Sequence, residues 1–437
     1  MAEQHEKALV PQIRFTGFTD PWEQRKLSST CEQLSRTINP LETPNEEFTE
    51  YSMPAFDNNE TAETVIGNSM NSLRKIVDRP CLLVNKLNVR KKRIWHVPRP
   101  EANAVCSSEF VPFSSHSSDL SFIKISLLSE RITAYLESCS SGSSNSQKRV
   151  TPEIIMSSEI IAPSLAEQRR IGAFFDRLDS LITLHQRKYD KLCVLKKYML
   201  DKMFPKGGSL YPEIRFAGFT DPWEQRKLGE ELGFLRNNTL SRAELSDSEG
   251  TVFDIHYGDV LIKYGSVLDA EKADVPRIAN DAVANRQTCD CLQDGDVIIA
   301  DTAEDSAVGK CTELCNSAGK KVFSGLHTMP LRPMRKYASG YLGHYLNSPA
   351  FHDQLLPLMQ GIKVISVSRS AIEDMTMSVP SVAEQASIGA FFDRLDSLIT
   401  LHQRKYCGVV SWMLGVALVR LGSESDGAFG EMKHVLR

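Results

Sequence analysis

A stretch of nineteen residues, IGAFFDRLDSLITLHQRKY, occurs twice in this chain without a single change, at 171–189 and at 388–406. A shorter segment repeats as well, because IRFTGFTDPWEQRKL at 13–27 returns with one substitution as IRFAGFTDPWEQRKL at 214–228. Internal repeats constrain an architecture more strongly than any other pattern. The chain is therefore predicted to be a tandem duplication, in which a lead-in, a variable block and a long helical segment each occur twice.

The variable blocks, roughly 28–150 and 229–367, share almost no identity by eye. The second block alternates β-branched runs with Gly, Asp and Pro turns, and then has a helical stretch at 337–359. The first block has the same order of helix and turn at 122–150, but its front part contains few obvious strands. We expect two α+β modules with different inserts in a common frame.

The segment after the first block is predicted to be one long helix. Ser164 is placed as its N-cap, and Glu167 three residues later suggests a capping box. Residues recur on this helix at a seven-residue spacing that is typical of a helix seam. The seam comprises Ile171, Leu178, His185, Leu192 and Met199 with the companions Phe174, Leu181, Lys188 and Leu195, and in the second copy Ile388, Phe391, Leu395, Leu398 and His402. Two identical seams favour helices that pack on each other or bind identical partners.

The two copies diverge after Tyr189 and Tyr406. The first continues DKLCVLKKYMLDKMFPKGG, whereas the second continues CGVVSWMLGVALVRLGSESDGAFGEMKHVLR. Because the heptad pattern stops, the second helix is predicted to be truncated at 406 and followed by a divergent tail at 407–437. We hypothesise that a recombination or a frameshift produced this tail.

Composition excludes several classes of protein. The longest apolar stretch is too short to span a membrane, and the first residues lack the pattern of an export signal. Ten cysteines without a framework spacing are typical of reduced thiols in a cytoplasm. Four of them cluster, but they lack the C-x₂-C spacing of common zinc sites, so no metal site is predicted. These four are Cys289, Cys291, Cys311 and Cys315.

No catalytic motif is present in the sequence. We find neither a GxxxxGK[ST] phosphate loop nor a G-x-S-x-G elbow. His327 falls in a strand-like pattern, and we interpret it as structural. The chain is therefore expected to be non-catalytic and to bind no cofactor of its own.

Several polar segments could contact DNA even though the net charge is −4. The run NVRKKRIW at 88–95 places four cations beside a tryptophan, and the turns before the two long helices combine Lys or Arg with small polar residues. For each segment the alternative is an ordinary solvated turn. The candidate DNA-binding residues are Arg90, Lys91, Lys92, Arg93, Lys148, Arg149, Lys263, Tyr264, Thr302, Ser306, Lys310, Lys363 and Ser366.

The paired lead-ins of the GFTDPWEQRKL type, the divergent blocks and the two P-S-x-A-E-Q…IGAFFDRLDSLITLHQRKY helices resemble the specificity (S) subunit of type I restriction–modification enzymes. This resemblance implies two target-recognition domains that each read half of a bipartite double-stranded DNA target. It also implies that the two helices form an antiparallel coiled coil in a pseudo-two-fold repeat. The implied domains are 1–150 for the first recognition domain, 151–208 for the first helix, 209–367 for the second recognition domain, 368–406 for the second helix and 407–437 for the tail.

The resemblance implies partners as well. Two modification subunits would use S-adenosylmethionine, and restriction subunits would use ATP and Mg²⁺. The loops TAEDSAVGK at 302–310 and GIKVISVS at 361–368 would approach DNA, while the helices and lead-ins would bind the modification subunits. Two alternatives stay open, namely a silent recombinant specificity cassette and a coiled-coil scaffold without DNA specificity. A nuclease or methyltransferase acting alone is disfavoured by the absent motifs.

Overall fold

The computed structural model describes residues 10–11, 13–142, 147–361 and 363–419, and within 406–419 it describes the side chains of Cys407 and Gly408 only. The chain divides into two compact units, the first formed by Met1–Leu184 with Cys407–Arg437 and the second by His185–Tyr406. Helices and strands occur in both units, which confirms the predicted α+β class. The boundary falls inside a long helix, so the predicted domain limits stay a prediction.

The strands of the first unit are β1 (Glu23–Lys26), β2 (Cys31–Gln33), β3 (Thr37–Ile38), β4 (Glu47–Tyr51), β5 (Glu63–Ile66), β6 (Arg74–Ile76), β7 (Cys81–Asn85), β8 (Ile94–Val97), β9 (Ala104–Cys106), β10 (Phe110–Ser115) and β11 (Glu159–Ala162). Its helices are α1 (Met53–Asp57), α2 (Leu120–Leu127), α3 (Glu130–Ser138), α4 (Pro152–Met156) and the start of α5 (Leu165–Lys202).

Two sheets form the body of the first unit. One is antiparallel with the order β2-β10-β7-β8, and the other has the order β3-β6-β9-β4-β5 with a parallel pair at β4 and β9. The expectation that the front of this block contains few strands is therefore wrong. Most of these strands are two to five residues long, which is too short for an alternating pattern to be recognised. Leu83, Trp95 and Phe110 contribute to one shared core cluster of this unit.

The strands of the second unit are β12 (Glu224–Lys227), β13 (Leu232–Phe234), β14 (Leu245–Ser246), β15 (Phe253–Ile255), β16 (Val267–Asp269), β17 (Arg277–Ile278), β18 (Val297–Ala300), β19 (Thr302–Ala303), β20 (Cys311–Cys315), β21 (Val322–Ser324), β22 (Thr328–Pro333), β23 (Ile365–Ser366) and β24 (Thr376–Val379). Its helices are α6 (Leu228–Glu231), α7 (Tyr257–Ile262), α8 (Asp281–Ala284), α9 (Tyr341–Leu346), α10 (Pro349–His352), α11 (Arg369–Glu373) and the start of α12 (Val382–Val419).

A five-stranded sheet with the order β13-β22-β18-β20-β16 lies at the centre of the second unit. Its middle strand, β18, has the sequence VIIA and is buried along its whole length, as expected for a strand covered on both faces. A four-stranded sheet with the order β14-β17-β15-β21 lies in the same unit, and β19 pairs separately with β23.

Each lead-in strand pairs antiparallel with the strand that precedes a long helix. β1 pairs with β11 from Glu23 opposite Ala162, and β12 pairs with β24 from Glu224 opposite Val379. The repeated sequence EQRK thus has the same partner position in both units. A short strand tied in this way fixes the start of the helix that follows.

The lead-ins are also fixed by two buried ion pairs. Arg14 donates through Nε and Nη2 to Glu167 at 2.8 and 2.7 Å, and Arg215 does the same to Glu384 at 2.7 and 2.8 Å. The predicted capping box at Ser164 is therefore only half correct, since one of its two hydrogen bonds is replaced by an ion pair. Ser164 Oγ lies 3.5 Å from the Glu167 backbone N, but the Glu167 carboxylate binds Arg14 instead of the N-cap backbone.

The seam of α5 differs from the predicted one in its companion series. Leu181, Lys188 and Leu195 are exposed. The half-buried positions instead include Phe175, Ile182, Tyr189 and Lys196, each four residues after a member of the first series. In α12 the more buried positions are likewise Ile388, Phe392, Leu395, Ile399 and His402, whereas Leu398 is 38% exposed. Positions +3 and +4 lie about 100° apart on a helix, and both carry apolar residues here, so the heptad alone did not distinguish them.

Phe174 and Phe391 have a different role from the one predicted. The Phe174 ring packs edge-on against Phe15 of the first lead-in at 5.7 Å between centroids, and Phe391 packs against Phe216 of the second at 6.0 Å. These residues attach each lead-in to its helix.

Within the second unit, α5 and α12 contact each other in reverse order. His185 Nδ1 lies 3.0 Å from His402 Nδ1, and Lys196 Nζ lies 2.6 Å from the Asp396 carboxylate. The contacting residue numbers increase along α5, from 185 to 196, and decrease along α12, from 402 to 396. These two segments therefore run antiparallel. The helix α12 continues past Tyr406 to Val419, so it does not end where the repeat does.

Candidate nucleic-acid interface

The basic run of the first unit begins on a 3₁₀ turn, Val89–Lys91, and ends just before β8. Three of its four cations bind carboxylates: Arg90 pairs with Glu137, Lys92 with Glu130, and Arg93 with Asp57. Lys91 is exposed. Trp95, which the sequence places beside the run, is 4% exposed and packs on Tyr51 with ring centroids 4.8 Å apart. Trp95 is therefore unavailable to stack on a base, and Lys91 is the best candidate here for a phosphate contact.

The turn before α5 lies against this basic run. The backbone N of Asn88 donates to the carbonyl of Lys148 at 2.9 Å, and Leu87 and Arg149 form an antiparallel bridge. Arg149 also pairs with Glu109 at 3.0 Å. Two predicted basic segments that are far apart in sequence are thus adjacent in the first unit.

Two predicted DNA contacts of the second unit lie on one small sheet. Thr302 in β19 is directly opposite Ser366 in β23. Ser306 and Lys363, on the loops that extend from these strands, are exposed. The loops TAEDSAVGK and GIKVISVS therefore form one surface, although residue 362 lies outside the described residues.

The structure does not place three other predicted contacts on that surface. Tyr264 is 5% exposed inside a core cluster, and burial raises the pKa of its hydroxyl. Lys310 turns inward, where Nζ donates to the Leu261 carbonyl at 2.7 Å and burial lowers its pKa. Lys263 donates to the Asp274 carbonyl. A core cluster and a backbone carbonyl hold Tyr264 and Lys310 inside, whereas Lys263 is exposed.

The predicted strand position of His327 is wrong, and the residue lies beside Thr302 of the β19–β23 surface. His327 precedes β22 instead of lying in a strand, has a φ of 57°, and its side chain is 48% exposed. Its ring contacts Tyr257, with centroids 5.4 Å apart. The only sequence signal was its place in the turn SGLHT.

His256 and Tyr257 complete the inner side of this surface. Their rings lie 4.6 Å apart, and His256 Nδ1 accepts from the Gly258 backbone N at 3.2 Å. Burial lowers the pKa of His256, which favours the neutral ring. The arrangement offers hydroxyl and imidazole groups on a rigid base and suits recognition by hydrogen bonding.

Neither a metal site nor a membrane span is found in the parts of the chain that the structure describes. No group of three or more His, Cys, Asp or Glu side chains in those parts could hold a metal ion. Cys311 is buried, Cys291 is exposed, and all four clustered cysteines are free thiols. No described helix is long and apolar enough to cross a membrane.

The first part of the chain is similar to a known protein family. Residues 20–193 match the family model of the type I restriction modification DNA specificity domain. That part of the chain is similar to this family, in agreement with the resemblance seen in its sequence. No curated protein sequence matches the chain significantly.

Three solved structures match most of the chain, and the first of them is similar in fold. The S subunit of the type I restriction–modification system from M. genitalium is 13% identical, with a TM-score of 0.54 and coverage of 95% of this chain and 100% of that one. The HsdS subunit from Thermoanaerobacter tengcongensis is 17% identical, with a TM-score of 0.41 and coverage of 93% and 98%. A chain from a structure on complex assembly and conformational transition of the type I R-M system is 18% identical, with a TM-score of 0.45 and coverage of 91% and 96%.

Proposed function

We propose that this chain is the DNA-recognition subunit of a type I restriction–modification complex, and that each recognition domain reads one half of a bipartite target. The observation that carries the proposal is the specificity-domain match at 20–193 together with a second copy of the same frame around a different insert. A device that reads two different sequences through two copies of one partner needs identical frames and different inserts.

The long helices set the distance between the half-sites in this proposal. The antiparallel contacts of His185 with His402 and of Lys196 with Asp396 support a coiled coil in the second unit. A helix rises about 1.5 Å per residue, so a 38-residue helix is about 57 Å long. A spacer of this length would exceed the about 34 Å of one turn of the duplex, so the two half-sites would lie more than one turn apart.

The repeated segment also supplies the docking surface for two identical modification subunits. Leu181 and Leu184 are 37% and 45% exposed, and their counterparts Leu398 and Leu401 are 38% and 44% exposed. Each pair presents exposed apolar side chains beside the seam. Exposed apolar groups that recur in this way fit one partner bound twice.

The chain itself is non-catalytic in this proposal. The modification subunits supply S-adenosylmethionine chemistry, and the restriction subunits supply ATP and Mg²⁺ chemistry. We place the complex in the cytoplasm, where its DNA substrate lies.

The experiment that tests the function is methylome sequencing of cells that carry this chain with its modification subunit. A methylated bipartite motif that disappears when the chain is deleted is the expected result. If methylation does not depend on the chain while the modification subunit is bound, the chain is a silent cassette instead. Divergence after Tyr406 favours that second candidate, because the two copies of the helix no longer match there.

A further inference from the structure

Three separate segments of the second unit lie around His327. The Asp301 backbone N donates to the His327 carbonyl at 3.2 Å, and the Val367 backbone N donates to the Asp301 carbonyl at 3.0 Å. The Tyr257 ring meets the imidazole at 77°, edge to face. The side chain is thus positioned by α7, the end of β18 and the strand β23.

The backbone of His327 adopts a conformation that a non-glycine residue rarely takes. A φ of 57° is disfavoured for any side chain with a Cβ, and such residues persist where the surroundings fix them, frequently at binding sites. The side chain is not required by the core, because it is 48% exposed. Its position is therefore fixed by the fold while its ring stays accessible.

The neighbours of the imidazole determine which ring nitrogen is available. Nδ1 lies 3.4 Å from Asp301 Oδ1, and the Thr302 hydroxyl donates to that same carboxylate at 2.7 Å. A carboxylate can only accept hydrogen bonds, so the proton of the neutral ring is favoured on Nδ1. Nε2 then keeps its lone pair and can accept a hydrogen bond.

The charge of the surrounding loop favours base edges over phosphates. Glu304 and Asp305 lie two and three residues after Thr302 and are exposed. Carboxylates repel phosphate oxygens but accept from the amino groups that bases present in the major groove. Lys363 is exposed on the opposite loop, where it can contact the phosphate backbone.

We propose that His327 is a specificity-determining residue of the second recognition domain, which accepts through Nε2 a hydrogen bond from the exocyclic amino group of adenine or cytosine. Asp301 is its positioning residue, since it holds the tautomer and the ring. This inference rests on the proposed function and assigns one base position to one side chain.

The test measures DNA binding by the complex with its modification subunits, once the methylated motif is known. Duplexes are compared in which one adenine or cytosine of the second half-site is replaced by its analogue without the amino group. At one position the wild-type complex should lose roughly 5- to 100-fold in affinity, the range for one specific base contact. His327→Ala should show the same loss on the unmodified duplex and no further loss on the analogue.

Two variants and the first half-site serve as controls. His327→Gly accommodates the left-handed backbone, so it removes the imidazole without straining the turn, and it should behave like His327→Ala. His116→Ala changes an exposed histidine of the first unit and should leave the motif unchanged. Discrimination in the first half-site should be unaffected by every change at His327.

The outcomes separate the two proposals. If the wild-type complex methylates a bipartite motif but both His327 variants keep it unchanged, the inference about His327 is wrong and the proposed function stands. The affinity lost through the His327 variant and the affinity lost through the base analogue could also prove additive at every position. That result would overturn the inference, because it would mean that His327 contacts none of the replaced amino groups. A wild-type complex that methylates no bipartite motif overturns the proposed function itself.

Discussion

His185 and His402 face each other with their Nδ1 atoms 3.0 Å apart, and they occupy the same position in the two copies of the repeated segment. The contact therefore joins a residue to its own duplicate. Lys188 and Lys405, also duplicates, are both exposed and raise the positive potential at this point of the second unit.

This pair predicts that acid loosens the contact between α5 and α12. Burial, His402, Lys405 and Lys188, in that order of effect, lower the pKa of His185 from its ordinary value of 6.5. The unfolded chain then binds the proton more readily than the folded one, so this stability is present above about pH 6.5 and is lost as the pH falls towards the folded pKa. Hydrogen exchange of helix amides between pH 7.5 and 5.5 should show the loss.

A glutamine pair tests the cause of that pH dependence. The double variant His185→Gln with His402→Gln keeps hydrogen-bonding groups but cannot be protonated, so the protection factors of the helix amides, corrected for the intrinsic pH dependence of exchange, should become insensitive to pH in this range. The exposed His116→Gln variant should keep the wild-type response. An unchanged acid response in the double variant would assign it to other groups.

Phe204 is predicted to be the main apolar anchor after α5. It is 1% exposed and contacts Trp223, Tyr345 and Phe392, with the Phe392 ring stacked at 5.9 Å between centroids. Phe204→Ala should lower the free energy of unfolding of the second unit by about 3–5 kcal/mol, through lost burial and the cavity that remains. Chemical denaturation measures this change.

The matched control for Phe204 lies on the same helix end. Tyr198 is 52% exposed, and its replacement by alanine should change the free energy of unfolding by less than about 0.5 kcal/mol. Equal effects of the two substitutions would show that Phe204 does not anchor the helix.

The exposure of Leu181 and Leu398 leads to a prediction of how many modification subunits the chain binds. Each is a duplicate of the other, and both are exposed. An aspartate would place a charge in an apolar interface, so Leu181→Asp and Leu398→Asp should each remove one modification subunit, and the double variant should remove both. Native mass spectrometry counts the bound subunits, and two bound to the double variant would exclude this surface.

Two lysines at the ends of the recognition loops should respond differently to substitution. Lys363 is exposed, so Lys363→Met should weaken DNA binding and reduce the slope of log K against log salt by about 0.9, the value for one phosphate contact. Lys310 binds the Leu261 carbonyl instead, so Lys310→Met should leave the slope unchanged. Fluorescence anisotropy at several salt concentrations measures both slopes, and a reversed pattern would contradict the placement of the loops.

The repeated segments of the sequence made the frame of this protein easier to predict than its candidate interface. The two repeats predicted the frame and both long helices, and the strand and turn pattern of the variable blocks predicted the α+β class. The companion series of the seam was misplaced, because residues at +3 and +4 are equally apolar. A one-dimensional pattern could not separate those helix faces.

The interface was harder to predict, because exposure depends on contacts that are distant in sequence. Lys310 and Tyr264 look like surface residues in sequence, but the Leu261 carbonyl and a core cluster hold them inside. His327 looked structural, yet the backbone of Asp301 and the ring of Tyr257 present it at the surface.

Exchange of one insert tests the central claim most directly. Residues 28–150 are replaced by the corresponding block of a chain with a different target, and the methylome is sequenced in cells that contain the modification subunit. Independent reading by the two recognition domains predicts a new methylated motif in which one half-site changes, while the other half-site is kept. A change in both half-sites, or in neither, would contradict the account.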